Sequence, residues 1–216
     1  MKWVWVIGNG VTVISAVICI SYLYRFRWSD SKTRLPVWSL LIITITVVIT
    51  SFQFVFPELL AAFRRNLDSL LAGEWWRMVT PLFVQPYGWF QCFSNAFFLL
   101  AFVPLAEKLY GKGVLALYFI PGIVGQLVNY AWSPDGGGSS TAAFGVMGGL
   151  FVYLCRYRKE VPTSYFLFAI IGLCAAGILG LVKDGHGPAL LIGALVAIML
   201  KARQLPIAIA AHDARA

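Results

Sequence analysis

Charge is what this sequence has least of. Asp, Glu, Lys and Arg make up 12% of its 216 residues, about half the ~25% usual in a soluble domain. The chain is 60% hydrophobic, with a mean hydropathy of +0.79. So few charges cannot hold such a surface in water, which excludes the soluble enzyme, the soluble nucleic-acid binder and the disordered tail. Paired cysteines are missing as well. Cys19, Cys92, Cys155 and Cys174 stand singly in apolar stretches without CxxC spacing. Neither a cysteine zinc site nor a disulfide framework is expected, and each reads as a small buried hydrophobe. The run after Lys2 lacks a small-residue cleavage site; it continues uncharged from Trp3 to Tyr24 and then meets Arg25, Arg27, Lys32 and Arg34. That pattern fits a retained transmembrane helix rather than a signal peptide. Gly136-Gly137-Gly138 lacks the Gly-Lys-Ser/Thr ending of a phosphate-binding loop.

What is present is the pattern of an all-α, polytopic membrane helix bundle. Seven apolar segments, at 3–24, 36–56, 90–106, 114–131, 140–155, 163–182 and 186–200, approach the ~20 residues of a spanning helix. The later ones are short and contain glycine, as suits helices that cover one another. Lys and Arg divide 12 to 5 between the two sets of alternate loops. The positive-inside rule then places the N-terminus outside and the C-terminus in the cytoplasm, most simply across a plasma (inner) membrane. The net charge of +8 accordingly reads as basic loops beside an anionic lipid bilayer, not as a nucleic-acid surface. The outer loop 57–89 carries Leu59, Leu60, Phe63, Leu67, Leu70 and Leu71 at three-to-four spacing, which predicts one amphipathic helix lying in the membrane interface. Glu74-Trp75-Trp76-Arg77 follows, with its tryptophans suited to the headgroup level.

In an apolar bundle the informative residues are the polar ones inside it. Asn95, Ser140 and His186 each stand near the start of a helix that runs inward from the outer side, so the topology brings them to one shallow depth. Ser140 follows Gly136-Gly137-Gly138-Ser139, where the first amides of its helix have no internal partners and can hold a developing oxyanion. His186 is the one histidine in the membrane region and can take a proton from a hydroxyl and return it to a leaving amine. Ala189, Gly193 and Ala197 below His186, and Thr141, Gly145, Gly148 and Gly149 below Ser140, form small-residue stripes that let helices pack closely. Phe144 stands one turn beyond Ser140, placed to lie against the imidazole. Each polar residue has a plainer reading: Ser140 as an N-cap, His186 as a satisfied interfacial side chain, Asn95 as glue between helices. Asp184 is left out of the set, because a residue two positions before a histidine seldom points at its ring. A small transporter is the poorer reading, since the midplane stretches are almost purely apolar.

At these residues the chain resembles the rhomboid intramembrane serine proteases. Glu74-Trp75-Trp76-Arg77 with Thr80-Pro81 is similar to the tryptophan-arginine motif of the first outer loop. Ser94-Asn95 resembles the His-x-x-x-Asn segment, Gly138-Ser139-Ser140-Thr141 the Gly-x-Ser-Gly segment, and His186 with Ala189 and Gly193 the histidine helix. The resemblance covers about 36–200. It implies a six-helix core over 35–200 that includes loop 57–89, one extra helix in front within 1–34, and a cytoplasmic tail over 201–216. It also implies a Ser140/His186 dyad with no acidic third member, Asn95 beside the oxyanion, and support from Gly138, Phe144, Gly145, Ala189, Gly193, Trp76 and Arg77. The expected activity is cleavage of transmembrane protein substrates near the outer face, with no metal or cofactor. The chain departs from the family pattern at three places. Gln91 stands where the family has the histidine that assists the oxyanion, Gln85 replaces a histidine of the preceding loop, and Thr141 replaces the glycine after the nucleophile. Those departures motivate the alternative of a catalytically inactive rhomboid-like protein that binds membrane proteins.

Overall fold

The computed structural model describes residues 2–27 and 35–203. The basic connection expected at 25–35 lies largely outside these residues, at 28–34, and so does the tail from 204 onward. Seven helices of 14 to 26 residues build the described chain: α1 (Lys2–Arg27), α2 (Val37–Val55), α5 (Gly88–Tyr110), α6 (Val114–Trp132), α7 (Ser140–Arg156), α8 (Thr163–Leu181) and α9 (His186–Met199). Two short helices, α3 (Pro57–Phe63) and α4 (Leu67–Leu71), lie between α2 and α5. Among the described residues there is no strand, only one isolated bridge. Four stretches are long and apolar enough to cross a membrane: Trp3–Tyr24, Val37–Val55, Gly88–Trp132 and Thr163–Leu181. Helices satisfy every backbone group internally, which hydrocarbon demands. The outward faces of α1 and α2 leave Trp5, Ile7, Ile14, Leu40, Leu41 and Phe52 exposed, a surface that only lipid tails cover at no cost. The protein is an integral membrane protein.

Helix α7 occupies the centre. Residues 141–151 are buried without interruption, because α6 and α9 close on it over glycines. A Cβ on Gly148 would overlap the Leu190 carbonyl oxygen of α9, and one on Gly193 the Gly145 carbonyl oxygen of α7. With neighbours covering them, α7 and α9 need not be as long as a lipid-facing span. The far end of the bundle is tied by polar caps. Glu107 accepts from the Ser39 amide at 2.7 Å and from its hydroxyl at 2.5 Å, meeting orphan donors at the start of α2. Arg156 donates to the carbonyls of Ala197, Ile198 and Leu200 at the end of α9.

Three sequence expectations are corrected. The single interfacial helix over 59–71 is two helices, because Arg65 pairs its backbone with Gly136 and Asn66 leaves helical geometry to cap α4, accepting from the Ser69 amide at 2.9 Å. The helix expected at 90–106 runs from Gly88 to Tyr110, so Asn95 lies about 10 Å inside it. Cys174 is exposed on α8 rather than buried, and a thiol suits a lipid-facing wall as well as a core.

Candidate active site

The approach to Ser140 is built from glycine. Gly136, Gly137 and Gly138 have φ of 146°, 154° and 133°, a region essentially closed to side chains. This extended stretch descends between elements from both sides. Its Gly136 pairs with Arg65, and the Gly138 amide donates to the Pro81 carbonyl at 2.7 Å. Helix α7 then starts at Ser140. The capping position before it belongs to Ser139, whose side chain makes no capping bond, so the first amides of α7 keep no side-chain partner there. Ser140 is not the N-cap of the plainer reading.

His186 opens α9, and its Nε2 lies 2.8 Å from Ser140 Oγ. Phe144 sits against the ring with centroids 4.5 Å apart, tilted at 42° rather than stacked flat. Asn95 and Gln91 reach the glycine stretch from α5. Gln91 Nε2 donates to the Gly137 carbonyl at 2.8 Å, and its Oε1 accepts from the Tyr87 amide at 3.0 Å. Asn95 Nδ2 donates to Gln85 Oε1 at 2.7 Å. Each amide group has a second N–H left to offer. Gln85 is itself gripped by Gln53 of α2 through two buried bonds of 2.7 and 2.9 Å. A cavity of about 260 Å³ between α2 and α5 reaches Asn95, Gln85 and Ser139. The four polar positions singled out in the sequence, 91, 95, 140 and 186, thus converge on one end of the bundle.

Thr141 does not face the histidine helix as a spacer would. It packs against α6, where a Cβ on Gly125 would lie 2.9 Å from Thr141 Cβ, and its hydroxyl accepts from Gln126 Nε2 at 3.2 Å. Gly145 and Gly149, on the same face, meet Pro121 and Leu117 of α6. Gly125, with no side chain of its own, leaves room for the threonine on the α6 side of α7.

Trp76 and Arg77 brace the short helices above the site. Arg77 donates to Glu74 at 2.6 Å and to the Ala61 and Arg64 carbonyls at 2.9 and 2.7 Å, while Trp76 Nε1 donates to Ala62 O at 3.1 Å.

Sequence reasoning missed three residues. Arg65 falls on the polar face of the amphipathic helix expected over 59–71, yet it is 4% exposed; it donates to Ser133 O at 2.8 Å, to Asp135 O at 3.3 Å and to Gln126 Oε1. Burial pulls its pKa down, opposed by Tyr87, Tyr130 and Asp135. Gln126 passes the connection on to the Gly138 carbonyl at 3.1 Å. Arg65→Ala leaves the buried Gln126 side chain without its guanidinium partner and removes the charged anchor of the 133–135 carbonyls. We expect it to lower stability by about 3 kcal/mol, read as an earlier thermal unfolding transition; an unchanged transition would show that water replaces the guanidinium. The third is Asp184, whose Oδ1 lies 2.6 Å from His186 Nδ1 and accepts from the His186 amide at 2.9 Å. Leaving Asp184 out was an error of geometry. The offset rule assumes a helix, whereas 182–185 form a turn. Lys183 takes φ 59°, its amide donates to Gly180 O at 3.1 Å, and that of Asp184 donates to Leu179 O at 2.9 Å. This is a Schellman ending of α8, and it aims the carboxylate at the first residue of α9.

A helical membrane bundle with a serine hydroxyl, an imidazole and amide donors gathered at one end is the class that these observations define. The Rhomboid domain matches residues 72–212, and the chain belongs to the rhomboid family. It is 34% identical over 123 residues to the rhomboid protease GluP of Bacillus subtilis, covering 54% of this chain and 24% of that protein. Identity to B. subtilis YdcA is 31% over 111 residues, covering 50% and 55% of the two chains. Identity to Rhomboid-like protease 3 of Toxoplasma gondii is 33% over 96 residues, covering 42% and 36%. The matched stretch spans about half or less of each relative's length.

Proposed function

We propose that the protein is an intramembrane serine endopeptidase, with Ser140 as nucleophile and His186 as general base. The observation that carries this reading is the 2.8 Å contact between Ser140 Oγ and His186 Nε2, made at a helix start preceded by a glycine stretch. Ser140 Oγ attacks the peptide carbonyl carbon as its proton passes to Nε2. The resulting oxyanion is held by the free amides at the start of α7, by Asn95 and by Gln91. Collapse expels the amine, which takes the proton back from the imidazole and leaves an acyl-Ser140 ester. A water molecule, deprotonated by the same nitrogen, then attacks the ester carbonyl; collapse expels Ser140 Oγ, which takes that proton back from the imidazole as the acid product leaves. The names of the relatives as rhomboid proteases support the reaction class.

In this reading all seven long helices span the bilayer. The site lies at the outer face, the C-terminus is cytoplasmic, α1 is an addition to a six-helix core, and the substrates are transmembrane proteins. The 12-to-5 division of Lys and Arg supports the orientation. Gln85, Gln91 and Thr141 favour the alternative of an inactive, binding-only relative. Against it stand the spare N–H groups of Gln91 and Asn95 and the accommodation of Thr141 by Gly125. A serine-reactive fluorophosphonate separates the two. The parent protein should be labelled and Ser140→Ala should not; a parent that stays unlabelled sinks the protease reading.

A further inference from the structure

The first helix carries one amide side chain, Asn9, in an uncharged and mostly apolar run from Trp3 to Tyr24. Such a residue inside a spanning helix costs free energy of insertion and needs a partner to be retained. Its Nδ2 donates to Asp184 Oδ2 at 2.8 Å, 175 positions away, and to the Trp5 carbonyl at 3.1 Å. Gly8 beside it lets α1 close on α8, since a Cβ there would lie 2.9 Å from Leu179 Cδ2. Asp184 is buried, and its two oxygens divide the work: Oδ2 takes Asn9, while Oδ1 takes the His186 amide and faces Nδ1.

The chemistry of that carboxylate decides the state of the imidazole. An ionised carboxylate only accepts, so the nitrogen facing it carries the proton, and Nε2 is left with its lone pair toward Ser140. Burial alone would raise the Asp184 pKa. The hydrogen bond and charge of His186, the Asn9 amide and the His186 backbone amide outweigh that and hold it well below the usual carboxylate range. The imidazole side chain is 25% exposed with Phe144 on one face, and Asp184 at Nδ1 restrains its rotation from the side opposite Ser140.

We propose that Asp184 and Asn9 are positioning residues for the hydrolysis. Asp184 sets the tautomer and orientation of His186, and Asn9 on the first helix holds the carboxylate in place. The added helix is thereby part of the active site that it flanks. This rests on the protease reading above.

The test uses the full chain and a transmembrane reporter, with kcat and KM measured separately. Asp184→Asn should lower kcat about 10- to 100-fold, as loss of a residue that orients a working histidine does. Asn9→Leu matches asparagine in size and favours membrane insertion. It should lower kcat about tenfold, the worth of one charge-assisted hydrogen bond. In both cases KM should stay at the parent value, and Asn9→Gln should recover part of the loss in kcat. Because Asn9 acts through Asp184, Asn9→Leu should cost nothing further in the Asp184→Asn background. A parent that neither cleaves nor takes the fluorophosphonate overturns the protease reading and this proposal together. A labelled, active parent whose kcat survives Asn9→Leu, or falls equally in both backgrounds, overturns this proposal alone.

Discussion

Ser140→Ala and His186→Ala should each reduce reporter cleavage to the same floor, about 10³- to 10⁶-fold below the parent, and the double variant should sit on that floor rather than below it. The reason is the 2.8 Å contact, which makes the two side chains one device. The hydroxyl is a poor nucleophile without a base, and the base has nothing to deprotonate without the hydroxyl. Removing either therefore forfeits what removing both forfeits. Single-turnover cleavage in proteoliposomes measures it. Two losses that multiply in the double variant would show that the residues act separately, as an N-cap and a satisfied interfacial histidine would. Residual cleavage above the uncatalysed rate would report the oxyanion donors alone, Asn95, Gln91 and the amides of α7.

That pair was legible in the sequence because so little else was polar. In segments where nearly every residue is apolar, a serine after three glycines and a lone histidine stand out, and alternating loops carry them to the same end of the bundle. Of the glycines below them, Gly148 and Gly193 lie between α7 and α9, whereas Gly145 and Gly149 turn to Pro121 and Leu117 of α6. Other parts of the site were hidden for identifiable reasons. Arg65 looked like one charge on the polar face of an amphipathic helix. The signal against this was Asn66, whose side chain competes with helical geometry and prefers the capping place it takes. Asp184 was hidden by a turn that usually announces itself with glycine. Here Lys183 adopts the left-handed conformation, at a cost of roughly 1 kcal/mol, and leaves no compositional mark. Asn9 could be recognised as an isolated polar residue, but its partner lies 175 positions away and no local pattern connects them. Local chemistry thus named the proposed reacting pair, and tertiary packing placed Asp184 and Asn9 beside it.

The same packing makes Gly193→Ala the most damaging single-methyl substitution expected in this protein. A Cβ at Gly193 overlaps the Gly145 carbonyl oxygen and crowds the rest of that peptide unit. The obstacle is backbone inside a helix, so no rotamer change relieves it. Helices α7 and α9 must separate by about 1 Å or more to restore ordinary contact. Ser140 opens one of these helices and His186 the other, so that separation is transmitted to the reacting pair. A misplacement of this size costs about 100-fold in rate. We expect kcat to fall by at least that factor, with a lowered thermal midpoint and slower fluorophosphonate labelling of Ser140. Gly177→Ala is the matched control. Nothing lies within 4 Å of a Cβ at that position on α8, and alanine is the better helix former by about 1 kcal/mol. It should leave cleavage unchanged and raise the midpoint slightly. Equal behaviour of the two variants would mean that the contact between α7 and α9 yields without moving the dyad, and that the serine and histidine are held in register by the Asp184 turn instead.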